Sequence, residues 1–127
     1  MQIKTSSIFV DDQARALAFY TEMLGFVKRE DIDLGEFRWL TVAESADSPV
    51  ELLLEPNAHP ASLVFQRAIY EDGIPATVFN CDDMDTEYNS LSGKGVSFKD
   101  RPMDAGDYRI AIFDDTCGNW IQLVQLL

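Results

Sequence analysis

The stretch that decides the fold is "FVDDQARALAFYTEMLGF", residues 9–26, because it has a second copy, "NCDDMDTEYNSLSGKGVSF", at 80–98. Each copy opens on two aspartates, Asp11-Asp12 and Asp82-Asp83. A helix-like run follows, and each run ends on a glycine and an apolar residue. An Asp at such a joint accepts hydrogen bonds from the free amides of the helix that follows and sits at the positive end of its dipole. In the first copy Ala14, Leu17, Ala18, Tyr20-Thr21 and Leu24 form an apolar stripe of helical period. Gly25 stands where a helix is closed in a left-handed conformation.

Working outward, the same 71-residue offset links more of the chain. It takes Asp11 to Asp82 and Asp12 to Asp83, and Phe37 of "FRWLTV" to Tyr108 of "YRIAIF". It also takes "VELLL" (50–54) to "IQLVQ" (121–125). Strands are expected at 2–10, 26–30, 36–43 and 50–55, and again at 75–81, 96–100, 108–115 and 119–125. Alternating apolar positions and polar, Gly- or Pro-containing turns mark them. A linking helix is expected at 61–73, closed by Gly73. The chain therefore reads as an α+β fold of tandem βαβββ modules, 1–55 and 74–127, joined by a loop and helix over 56–73.

These pieces, together with "IAIFDDTCGNWIQLVQ" (110–125), resemble the vicinal oxygen chelate superfamily. That superfamily includes glyoxalase I, fosfomycin- and bleomycin-resistance proteins and extradiol dioxygenases. The resemblance covers essentially the whole chain. It implies that the modules' sheets curl into one mixed sheet around an internal cup, with the helices outside. It also implies a homodimer, with modules paired side by side or across subunits.

Metal-bound members of that superfamily place four ligands on cup-facing strands. Matched through the motifs, those positions fall on Thr5, Glu51, Ala76 and Gln122. Only Glu51 is a strong ligand; Thr5 and Gln122 offer neutral oxygens and Ala76 offers no side-chain donor. Tight sites for transition ions use three or four imidazole, thiolate or carboxylate donors. No cofactor is expected, and a divalent metal is disfavoured.

The resemblance and the strand alternation make Thr5, Ser7, Phe9, Phe37, Trp39, Glu51, Tyr108, Trp120 and Gln122 candidate ligand contacts. Glu51 is also the candidate general base, if burial in an apolar cup raises its pKa. His59, the one histidine, is a candidate acid–base group at the cup mouth. Arg38 and Arg109 occupy matched places whose facing is open, with a surface role favoured. Cys81 reads as a small buried hydrophobe and Cys117 as a turn residue.

Ten basic and 22 acidic residues give a net charge of −12. That sign argues against a nucleic-acid partner or an anionic membrane. No apolar run is long enough to span a bilayer. The two cysteines form no pairing motif, and a reducing cytoplasm is expected. Three functions stay open: metal-independent binding of a small, partly apolar molecule, a lyase- or isomerase-like enzyme using Glu51, and a structural or regulatory dimer.

Overall fold

A computed structural model describes residues 1–127. In chain order the elements are β1 (Thr5–Val10), α1 (Gln13–Ala18), a π-helical stretch Phe19–Met23, β2 (Val27–Asp33), β3 (Arg38–Ala43) and β4 (Glu51–Pro56). Then come α2 (Pro60–Glu71), β5 (Pro75–Asn80), α3 (Met84–Gly93), β6 (Met103–Ala105), β7 (Tyr108–Asp114) and β8 (Trp120–Leu126). The strands form two four-stranded mixed sheets, ordered β1-β4-β3-β2 and β5-β8-β7-β6. The α+β tandem architecture is as expected.

Both aspartate joints act as helix caps. Asp12 accepts from the Arg15 amide at 2.9 Å, and Asp83 from the Thr86 amide at 3.0 Å. The α1 stripe then packs on its own sheet, where Ile8, Val10, Leu40, Val42 and Leu54 are buried with Ala16, Phe19 and Tyr20. The same core cluster takes in Met84, Leu91, Ala111, Phe113, Ile121 and Leu123 of the second half. Phe19 and Phe113 lie 6.3 Å apart, and Tyr20 meets Phe79 edge-on at the same distance. Alternation along the strands turns the opposite face of each sheet away from α1 and α3.

The halves are locked together around "DDTCGN" (114–119). Asp115 is fully buried and accepts from Tyr20 Oη at 2.7 Å, the Cys117 amide at 2.7 Å, and the Asn119 amide and Nδ2 at 3.1 and 2.9 Å. Asn119 Nδ2 also donates to the Phe9 carbonyl at 2.7 Å. Gln66 of α2 donates to that same carbonyl at 3.0 Å and to the Cys117 carbonyl at 3.2 Å. Burial pushes the Asp115 carboxyl above its ordinary value, against the pull of these donors. Gly118 has φ of +97°, and a Cβ there would meet Gln66 Nε2 at 2.8 Å.

The structure corrects two expectations. The stretch 96–100 is not a full strand: it makes one bridge, Phe98 with Phe113, and the edge strand β6 lies at Met103–Ala105. Cys117 lies in its turn as expected and is wholly buried there, and burial pushes its thiol up to about 12. The 71-residue offset also fails for the last strand. Thr41 pairs with Leu53 and Ile112 with Gln122, while Ile8 pairs with Leu54 and Phe79 with Leu123. The β7–β8 loop (115–119) is two residues shorter than the β3–β4 loop (44–50), so the counterpart of Gln122 is Leu53, not Glu51.

Gly118→Ala should cost about 1–3 kcal/mol in chemical denaturation, from its positive φ and the contact with Gln66. Gly106→Ala, where nothing lies within 4 Å of the added Cβ, pays only the backbone strain and should cost less. The alkaline limb is a second check. Burial and the Asp115 carboxylate hold the Tyr20 phenol well above its ordinary value, and the hydrogen bond to Asp114 takes Tyr70 to about 12. Both phenols are neutral below about pH 10 in the folded and unfolded chain alike. Above that the unfolded chain ionises first, so stability should fall from there to about 12. Tyr20→Phe should flatten this fall.

Candidate functional site

Glu51 opens β4 beside Thr5 of β1. Its Oε1 accepts from Thr41 Oγ1 at 2.9 Å and lies 3.9 Å from Arg29 Nε. Arg29 sits at the bulge between Lys28 and Glu30. Its guanidinium also donates to the carbonyls of Ser45 and Ser48 at 3.3 and 2.9 Å. One cation therefore holds both the carboxylate and the 44–50 loop. Beside Glu51 opens a cavity of about 460 Å³, the largest of the substantial ones. Ser6, Ser48, Pro49 and Val50 line it from the first half, and Thr77, Val78, Phe79 and Asn80 of β5 line it from the second.

The other expected residues divide. Ser7, Phe9 and Ala76 line a separate cleft under α2. Thr5 is exposed. Trp39 lies on the open face, and its Nε1 donates to Glu30 at 2.7 Å. Phe37 and Tyr108 are exposed and line neither cavity. Gln122 pairs with Val78 and Ile112 within the second sheet. Trp120 is claimed by packing: Tyr70 of α2 stacks on it at 5.1 Å and accepts its Nε1–H at 3.0 Å, and Lys99 Nζ lies 4.8 Å from its ring. Arg38 binds Asp31 through two bonds of 2.9 and 2.7 Å, and Arg109 pairs with Asp85 at 2.9 Å. Both arginines share the strand face of the core residues, away from the cup side.

His59 caps α2: its Nδ1 accepts from the Ala61 amide at 3.0 Å, and Pro60 follows at the first helical position. Val78 and Arg29 belong to the site but were not singled out from the sequence. Val78 alternates with Ala76 and was within reach of that reasoning; the bulge that places Arg29 left no sequence signal.

The donor set does not suit a transition metal. Ala76 and Leu53 bring no donor, Thr5 and Gln122 bring neutral oxygens, and Glu51, the one strong donor, already accepts from Thr41 at Oε1. No group of three or more His, Cys, Asp or Glu is placed to hold an ion.

Residues 2–123 match the family described as the Glyoxalase/Bleomycin resistance protein/Dioxygenase superfamily. The uncharacterized protein YurT of Bacillus subtilis is 53% identical over 98% of this chain and 99% of its own. Among solved structures, UcmS2 is 33% identical with a TM-score of 0.84, covering 98% of this chain and 97% of its own. TnmS3, an antibiotic binding protein from Streptomyces sp. CB03234, is 28% identical with a TM-score of 0.80, covering 100% and 97%.

The capping bond decides what His59 mutants do. His59→Ala should cost about 1 kcal/mol in denaturant melts, and His59→Asn, itself a good cap, should recover most of it. Loss of ligand binding in His59→Asn at unchanged stability would restore the acid–base role.

Proposed function

This chain belongs to the glyoxalase/bleomycin resistance protein/dioxygenase superfamily, and we propose that within it the protein binds a small, partly apolar molecule without a metal ion. The cavity beside Glu51 carries this reading. It is shared by both halves, its volume suits a small molecule, and its lining divides between hydrophobic side chains such as Val50, Val78 and Phe79 and polar ones such as Glu44, Glu51 and Asn80, which suits a partly apolar ligand. Val50 and Val78, 47% and 51% exposed, present apolar surface that a ligand would cover. The named antibiotic binding of the similar TnmS3 supports the same class of role. Glu51 then acts as a hydrogen-bond acceptor fixed by Thr41 and Arg29 rather than as a ligand to a metal.

The enzyme reading comes second. Glu51 accepts from Thr41 and faces Arg29, so it does not stand in the apolar wall that the general-base role assumed. A homodimer belongs to the proposal as well. Ile32, Trp39, Met103 and Tyr108 stand exposed on the open faces, where a second copy would cover them. We place the protein in a reducing cytoplasm, where Cys81 and Cys117 stay as thiols. No helix is long and apolar enough to cross a membrane.

The test is a thermal-shift screen of a panel of small, partly apolar molecules that includes antibiotics. At least one compound should raise the melting temperature. Val78→Arg, which puts a charge into the cavity, should weaken that compound about tenfold or more. A shift unaffected by Val78→Arg would contradict the assignment of the cavity.

A further inference from the structure

Where α1 and the π-helical stretch meet the second half of the chain, a groove of about 290 Å³ opens. Arg15, Phe19, Glu22 and Met23 stand in one wall, on a single helical face. Val96 and Ser97, which follow α3, and Asp114 and Thr116, at the end of β7, stand in the other. The groove shares no residue with the Glu51 cavity or with the cleft under α2. None of the cup-facing positions Thr5, Glu51, Ala76 and Gln122 lines it.

Both walls depart from regular backbone. In the first, the Leu24 amide reaches back five residues to the Phe19 carbonyl at 3.3 Å, a π-type turn of the kind frequent at functional sites. In the second, Thr116 has φ of +62° and is the one non-glycine residue in the left-handed region. Strain of this sort gathers at ligand clamps, where the surroundings enforce it. Here the Thr116 amide donates to Asp114 Oδ1 at 2.7 Å, and the Asp114 amide donates to the Ser97 carbonyl at 2.9 Å.

The charges of the groove decide what fits it. Arg15 is its one cation, and Asp11 already pairs with it at 2.5 Å. Both oxygens of Asp114 are engaged, by the Thr116 amide and by Tyr70 Oη, each at 2.7 Å. Glu22 is exposed and pairs with no cation; Lys94, next to Gly95 in the chain, donates instead to the Met23 carbonyl at 3.3 Å. A free carboxylate therefore stands near the Ser97 and Thr116 hydroxyls, over an apolar floor of Phe19, Met23 and Val96. We propose that this groove binds a small primary amine carrying an apolar tail. The ammonium brings three donors and a positive charge to Glu22, and the tail covers the floor. An anion would face Glu22 and Asp114 with Arg15 already matched. The net charge of −12 draws cations to the surface in the same sense. The site does not depend on the Glu51 cavity having a ligand.

The probe is hexylamine, titrated at neutral pH and low salt and followed through the backbone amide resonances. Hexanoate is the analogue of opposite charge and ethylamine the analogue with a short tail. Hexylamine should saturate with a dissociation constant below about 10 mM and move the amides of Gly95, Val96, Ser97 and Thr116. Hexanoate and ethylamine should each bind about tenfold more weakly or worse. Glu22→Gln, an exposed change that keeps the side chain's size, should weaken hexylamine about fivefold. Added salt should weaken it as well. No saturable binding, equal binding of hexanoate, an affinity unchanged in Glu22→Gln, or shifts confined to β5 and the 44–50 loop would each overturn the proposal.

Discussion

Asp115 is a carboxylate with no access to water, and four donors surround it: the Tyr20 hydroxyl, the Cys117 and Asn119 amides, and Asn119 Nδ2. A buried charge of this kind is costly unless every lone pair is met. Meeting them fixes the geometry of the last turn and, through Tyr20, the position of α1. Asn119 and Gln66 extend the network to β1 and α2 through the Phe9 carbonyl. Removing one partner of such a buried, charged arrangement typically costs about 3–5 kcal/mol. The Glu51 cavity and the cleft under α2 are both lined from the two halves of the chain, and the cleft under α2 has Phe9, Gln66 and Asn119 of this network in its walls.

The part of this arrangement that shows in the sequence is the part governed by local rules. Asp12 and Asp83 are helix caps because an Asp before an amphipathic run has a local partner to find. Their repetition placed the strands of both halves. What was hidden depends on non-local register. Two fewer residues between β7 and β8 than between β3 and β4 shift the last strand by one alternation period. The same side chains stay on the same face, so periodicity gave no warning, yet the counterpart of Gln122 becomes Leu53. The burial of Cys117 was hidden for a related reason. A turn of polar residues reads as surface, and only the Asp115 network draws it inward. The short β6 and the displaced 96–100 pairing show the usual uncertainty at a sheet edge.

Register also governs the chemistry. Glu51 looked like the surviving member of a ligand set because the uniform offset matched it to Gln122. In the paired sheets it stands level with Thr5, held by Thr41 and faced by Arg29. A carboxylate held this way orients a hydrogen-bonding partner. It does not offer the open, multi-donor arrangement that a catalytic metal needs. Aromatic residues divide along similar lines. Trp120 is fixed by Tyr70 and Lys99 as part of how α2 docks, whereas Trp39, Phe37 and Tyr108 remain on open surface. The proposed recognition surface is therefore the cavity wall at the junction of the halves, which Val50, Val78 and Glu51 help to line.

Metal-independent recognition is the central claim, and metal content tests it most directly. Elemental analysis of the protein purified without chelator should find nickel, zinc, iron and manganese together well below one ion per chain, with added nickel or zinc failing to bind stoichiometrically after dialysis. One tightly held ion per chain, released when Glu51 is replaced by Gln, would contradict the account.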